Sequence, residues 1–250
     1  MKKFAALLLF ALPSLLLLHS CNKKDPDTVA PYAKLSVSFS NEVDGTPVSI
    51  GPMSYTNAAG NKYSVSLLKY YISNFTLVKA DGSAQAFSNH NLIDAALPAS
   101  QTFSFDSVAN GDYTAVRFNM GVDFEHNHTG AQEGDLDPAK GMIWAWKTGY
   151  IFFKHEGDFI DSTGATKSVM FHYGTDFALV TVTVPISKLS ISGADRKLFL
   201  KFNLNALYAN PNRINFNADN NHMSTDAADG PWLTSMGQNF KNAFQFSKAE

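Results

Sequence analysis

Ala178-Leu179-Val180-Thr181-Val182-Thr183-Val184, closed by Pro185, is the clearest strand in the chain. Val180, Val182 and Val184 fall on one face and Thr181 and Thr183 on the other. β-branched residues with period two suit a pleated, half-buried strand. Pro185 has no amide hydrogen for a ladder and is expected to end it. Similar runs lie on both sides. Upstream are Ser168 to Tyr173, Tyr113 to Val122, Gln101 to Val108, Asn91 to Asp94, Tyr63 to Lys79 and Ala33 to Ser40. Downstream is Lys197 to Asn205, with Leu198, Leu200, Phe202 and Leu204 in alternation. Asp81-Gly82 and Asn110-Gly111-Asp112 are turn signals between them.

Met142 to His155 reads as one more strand. Its Trp144 and Trp146 are two residues apart, so on a strand they share a face, as does Met142. Phe124 to Lys140 is polar and glycine-containing and reads as a loop. The period changes at the end of the chain. Trp232, Met236, Phe240 and Phe244 recur every four residues, which predicts an amphipathic helix. About nine short strands with turns between them predict an all-β fold, an antiparallel β-sandwich with a C-terminal α-helix, in one domain over 33–250.

The N-terminus carries Lys2 and Lys3, an apolar run from Phe4 to Leu18, and Leu18-His19-Ser20-Cys21. The run is too short for a membrane span and is followed by polar residues, so 1–20 reads as a signal peptide. The small residue before Cys21 resembles a bacterial lipobox. That implies cleavage before Cys21, diacylglycerol on its sulfur, and a lipidated tether over 21–32. The expected location is the cell envelope, lipid-anchored through Cys21 and at the outer membrane.

Cys21 is the single cysteine, so a lipidated chain has no disulfide, thiolate metal site or cysteine nucleophile. A net charge of −2 gives no electrostatic basis for nucleic-acid binding. No HExxH, P-loop, GxSxG or GxGxxG pattern occurs, so the chain is expected not to be an enzyme.

Six of the seven histidines follow the leader: His90, His126, His128, His155, His172 and His222. His126-Asn127-His128 has a spacing that lets two imidazoles reach one ion on extended backbone. His172 lies between Phe171 and Tyr173, and His222 precedes Met223. Imidazoles with nearby thioethers (Met142, Met170, Met223) and no thiolates favour copper, with Cu(I) ahead of zinc. Asp123, Asp135, Asp137 and the acids from Asp226 to Asp229 offer calcium as another possibility, without the EF-hand spacing.

Leu68-Lys69-Tyr70-Tyr71-Ile72-Ser73-Asn74-Phe75-Thr76-Leu77 with Asp81-Gly82, then Leu92-Ile93-Asp94, then Gly121-Val122 with Asn127-His128, then Gly141-Met142-x-Trp144-x-Trp146-x-x-Gly149-Tyr150 with Lys154 and Glu156-Gly157, and finally Phe171-His172-x-Gly174 and His222 before a helix, together resemble the MbnP-like family. These are secreted or lipid-anchored bacterial proteins related to the copper-binding partner encoded with methanobactin. The resemblance runs from about Ala33 to Phe246 and rests on order and spacing. It implies a β-rich protein that binds copper, Cu(I) or Cu(II), through histidines and a tryptophan oxidised to a kynurenine-type residue. Trp144 or Trp146 would be that residue. His128 and His172 match the motif histidines best, followed by His126 and His222. It further implies a diheme peroxidase-type modifying enzyme and a TonB-dependent transporter as partners. Some relatives carry cysteines after the position of His172; Gly174-Thr175-Asp176-Phe177 has none. Two further readings are a β-sandwich lipoprotein that binds carbohydrate or a protein partner through its tryptophans, and a copper enzyme.

Overall fold

The computed structural model describes residues 31–224 and 229–250. The signal peptide, Cys21 and the tether up to residue 30 lie outside the described residues. In chain order the strands are β1 (Tyr32–Val43), β2 (Thr46–Pro47), β3 (Tyr55–Thr56), β4 (Lys62–Tyr63), β5 (Leu67–Lys79), β6 (Ala84–Ala86), β7 (His90–Asp94), β8 (Thr102–Ala109), β9 (Gly111–Met120), β10 (Phe153–Ile160), β11 (Thr166–Tyr173), β12 (Val180–Ile191), β13 (Arg196–Asn203), β14 (Asn221–Ser224) and β15 (Phe244–Ala249). The α-helices are α1 (Phe124–His128), α2 (Leu204–Leu207) and α3 (Gly230–Ala243).

The fold is all-β and sandwich-like. One sheet runs β15-β13-β1-β2, with β8 also against β1. The larger sheet runs β12-β9-β5-β10-β11-β14, with β6 and β7 on β5 and the β3–β4 pair joined to β10. Pairing is antiparallel except for β1 with β13 and β11 with β14, which are parallel. Alternation sets the inner faces. Leu35, Val37 and Phe39 of β1 and Leu198, Leu200 and Phe202 of β13 are buried, and they meet the large sheet through aromatic contacts. The Phe39 and Phe118 rings lie 5.6 Å apart, and Tyr70 and Phe202 lie 4.9 Å apart. Edge and tilted geometries at such distances add to simple area burial.

Helix α3 closes one end of this core. Its four-residue stripe buries Trp232, Met236 and Phe240, and Phe240 packs 5.2 Å from Phe153 and 5.1 Å from Tyr173. The helix stops at Ala243. Phe244, the fourth residue of the stripe, opens β15 and pairs with Phe202. Its side chain is still buried, because the helix and strand bury successive residues into the same core.

Two local expectations are corrected. Strand β12 does not end at Pro185 but continues to Ile191. The β9–β12 register slips between Pro185 and Leu189, so the proline sits at a ladder irregularity where its missing donor is tolerated. The tryptophan segment is not a strand. Backbone from Gly141 to Phe152 forms a loop with one isolated bridge, Ile143 to Tyr150, and regular pairing starts at Phe153. Gly141 (φ 72°) and Gly149 (φ 115°) turn the chain in conformations that residues with a Cβ resist. Among the described residues no helix is long and apolar enough to cross a membrane.

Candidate metal centre

Strands β10, β11 and β14 alternate an inner and an outer face. Lys154 pairs with His172 and Glu156 with Met170 across β10 and β11. His172 pairs in turn with Met223, and Met170 with Asn221. Registered neighbours in a sheet point to the same side, so Lys154, Glu156, Met170, His172 and Met223 share one outer face. Phe171, one residue along, points inward and packs against the core.

The loop 141–152 folds over this face. Nζ of Lys154 donates to the carbonyl of Gly141 (3.4 Å), and Nζ of Lys69 donates to that of Lys140 (3.4 Å). The amide of Phe152 donates to the carbonyl of Tyr173 (2.7 Å). Inside the loop the amide of Ile151 donates to the carbonyl of Met142 (2.8 Å). Trp144 is thereby pressed inward, 4% exposed, with its ring centroid 6.3 Å from that of His172. Trp146 stays 59% exposed and lies 5.5 Å from Trp144, so the two indoles do not share an environment.

His172 is 7% exposed, and its Nε2–H donates to Oε1 of Glu156 at 2.8 Å. Burial holds the imidazole below its ordinary pKa, against the opposing pull of the Glu156 hydrogen bond. Burial pushes the Glu156 carboxyl up, but the hydrogen bond from His172 and the Lys154 charge 3.4 Å away bring it below its ordinary value. The pair is therefore a neutral imidazole against a carboxylate. With the proton on Nε2, the lone pair is on Nδ1. A carboxylate behind a ligating histidine fixes tautomer and ring angle in this way. Met223, 37% exposed, stands beside it as a thioether. A neutral imidazole and a thioether neighbour, with no cysteine among the described residues, suit copper better than calcium.

The other histidines go elsewhere. His126 and His128 lie on the short helix α1 rather than on an extended loop, so they diverge. Nδ1 of His126 donates to Asp123 (2.9 Å), beside His90. Nε2 of His128 donates to Asp176 (2.9 Å). His222 stacks on Trp232, centroids 4.2 Å apart and planes 9° apart, between Asp219 and Asp229. It extends from the inner face with Phe171, opposite to His172. His155 is fully buried and accepts a hydrogen bond from Tyr208. The four histidines of the sequence-based set, His126, His128, His172 and His222, thus do not converge on one ion.

Asn127, beside His128, has a positioning role. The buried Asn127 accepts from the amide of Tyr150 (2.7 Å) and donates to Asp176 (2.8 Å). It ties α1 to the tryptophan loop. Sequence reasoning missed Asn127, Glu156 and His90 as positioning or donor groups. For Glu156 the signal was available: it lies two residues from Lys154 on a strand whose neighbour carries His172.

The MbnP family model matches residues 32–225. A solved structure, MbnP from Methylosinus trichosporium, superposes with a TM-score of 0.51 at 16% identity, covering 72% of this chain and 78% of that one. At that identity the likeness concerns the fold. No curated protein matches significantly.

Proposed function

The chain belongs to the MbnP family, and from that premise we propose that it is a cell-envelope copper-binding lipoprotein for copper uptake, storage or delivery, without catalytic turnover. The observation that carries this reading is the placement of buried Trp144 beside His172. His172 would hold copper through Nδ1, with Glu156 holding its other nitrogen and Met223 the nearest thioether. Intact indole offers only a donor N–H. An oxidised Trp144 would offer an aniline nitrogen and a ketone, both acceptors. Forming it would cleave the indole C2–C3 bond and leave one oxygen atom on each carbon, drawing on two equivalents of an external peroxide-type oxidant that are each reduced to water; hydrolysis of the resulting N-formyl group then releases formate. A diheme peroxidase-type partner is the proposed agent, and a TonB-dependent transporter the proposed neighbour in uptake. Trp146 is the less favoured position, because it is exposed and farther along the loop.

When loaded, the site would hold copper reversibly through its imidazole and thioether ligands. The chain's own contribution is a preset tautomer at His172 and a loop that excludes water from Trp144. The test is Cu(I) and Cu(II) titration of protein expressed to the periplasm, with mass analysis of the peptide carrying Trp144 and Trp146. His172→Ala and Trp144→Phe are expected to lose copper, while Trp146→Phe keeps it. Wild-type protein that takes up neither Cu(I) nor Cu(II) sinks the reading. Cys21→Ser is expected to release the protein from membranes.

A second reading rests on a different observation. Exposed Ile143 (39%) lines a cleft with Trp144, Lys147 and Tyr150, and exposed Trp146 (59%) lies 5.5 Å from Trp144. Such exposed apolar groups suit stacking on a sugar ring or an apolar partner surface. Under that reading Trp146→Ala abolishes binding and His172→Ala leaves it intact.

A further inference from the structure

His90, Asp123 and His126 are, among the described residues, the group of imidazole and carboxylate donors that gathers within 4.8 Å. Nε2 of His90 lies 2.6 Å from Oδ2 of Asp123, and Nδ1 of His126 lies 2.9 Å from Oδ1 of the same carboxylate. The two imidazole rings are in contact, centroids 4.1 Å apart and planes 43° apart. Each residue is held by its backbone. His90 opens β7 in register with Ser73 of β5. Asp123 caps α1, accepting from the amide of His126 (3.2 Å). Asn74, at φ 51° on β5, donates its side-chain amide to Oδ2 of Asp123 (3.4 Å). This left-handed residue falls where the β5–β9 register shifts, and its backbone N–H donates to the carbonyl of Asn89 next to His90. Strain of this kind persists where surrounding structure fixes it.

The geometry points to a second metal site on this triad, taking a divalent borderline ion of the zinc class and separate from the copper centre at His172. Two imidazoles and a carboxylate leave an open position, the donor set of many divalent first-row sites. A tetrahedral ion with bonds of about 2.0–2.1 Å needs donors about 3.3 Å apart. The present 2.6 and 2.9 Å contacts stand within about 0.7 Å of that spacing. The set is harder than imidazole plus thioether, so it discriminates against Cu(I). His90 is nearly enclosed, with 10% of its side chain exposed, whereas His126 is 35% exposed and leaves a route for the ion. Binding would clamp β7, the β9–α1 connection and α1, and α1 carries Asn127, which holds the tryptophan loop.

The test uses the full chain stripped of metal, titrated with zinc by calorimetry and with cobalt(II) by visible absorption, alongside thermal melts. Wild type is expected to bind one zinc at the triad, to rise in Tm, and to give a cobalt spectrum with imidazole ligation. His90→Gln and His126→Gln keep polar volume and should weaken zinc by at least about tenfold, the lower end of what loss of even an outer-shell partner costs. Asp123→Asn keeps a capping oxygen and should also weaken it. Circular dichroism checks that each variant is folded. Cu(I) affinity should be unchanged in His126→Gln, and zinc affinity unchanged in His172→Ala. Zinc that leaves the wild-type melt and heat trace unmoved overturns the proposal, as does zinc bound equally by folded His90→Gln and His126→Gln.

Discussion

His172 of β11 and Met223 of β14 stand opposite each other in a parallel pair, both directed to the outer face that the Trp144 loop covers. If the thioether takes part in Cu(I) binding, a residue of similar volume without sulfur isolates its share. Met223→Leu is expected to lower Cu(I) affinity about tenfold while changing stability by less than about 1.5 kcal/mol. Competition against a Cu(I) chelator measures the first and urea unfolding the second. An unchanged Cu(I) affinity removes Met223 from the site.

In the proposed copper site Glu156 would act through His172. Its carboxylate accepts from Nε2–H at 2.8 Å and faces Lys154 at 3.4 Å. Glu156→Gln keeps a hydrogen-bond acceptor but removes the charge that raises imidazole basicity. Copper affinity is expected to fall by about 10–100-fold, the cost of an outer-shell partner. The tautomer is followed by NMR of the His172 ring nitrogens. A retained tautomer with weakened copper separates loss of charge from loss of orientation.

Much of the sandwich was legible because period-two runs such as Leu35-Val37-Phe39 and Val180-Val182-Val184 bury the face they advertise. The tryptophan segment was not. Met142 is fully buried and Trp144 nearly so, two residues apart, which mimics a strand. The distinguishing signal was the pair of glycines, Gly141 and Gly149, whose positive φ angles bend the segment into a loop. His126 and His128 misled for a related reason. Their spacing converges on extended backbone but diverges on a helix, and Asp123 ahead of Phe124-Glu125 was an N-cap signal for that helix. His90 carried no local mark, because its partnership with Asp123 spans two elements that only the β5 pairings bring together.

His155 makes stability pH-dependent. It is buried, its Nδ1 accepts from the Tyr208 hydroxyl at 2.5 Å, and burial pushes its pKa down to about 4. The unfolded chain titrates near the ordinary value of about 6.5. Between these values the unfolded state binds more protons, so the contribution is full above about pH 6.5 and is lost as pH falls toward about 4. The loss amounts to on the order of 3 kcal/mol. Urea midpoints at a series of pH values should trace it. Tyr208→Phe leaves Nδ1 without its donor and should cost about 1–3 kcal/mol at neutral pH.

Gly174 sets the height of the tryptophan loop above β11. A Cβ there would meet the carbonyl oxygen of Tyr150 at 2.5 Å and the amide nitrogen of Phe152 at 2.7 Å. These are backbone atoms, so the loop itself must move. Gly174→Ala is expected to cost about 1–3 kcal/mol, as overpacking does, to redshift tryptophan fluorescence as Trp144 is exposed, and to weaken copper. Gly164 provides the contrast. A Cβ there meets nothing within 4 Å, but its φ of 84° makes alanine strained, at about 1–2 kcal/mol. Gly164→Ala should therefore lose comparable stability with copper affinity intact. Equal loss of copper in the two variants would mean that global stability, rather than the seating of Trp144 over His172, governs the site.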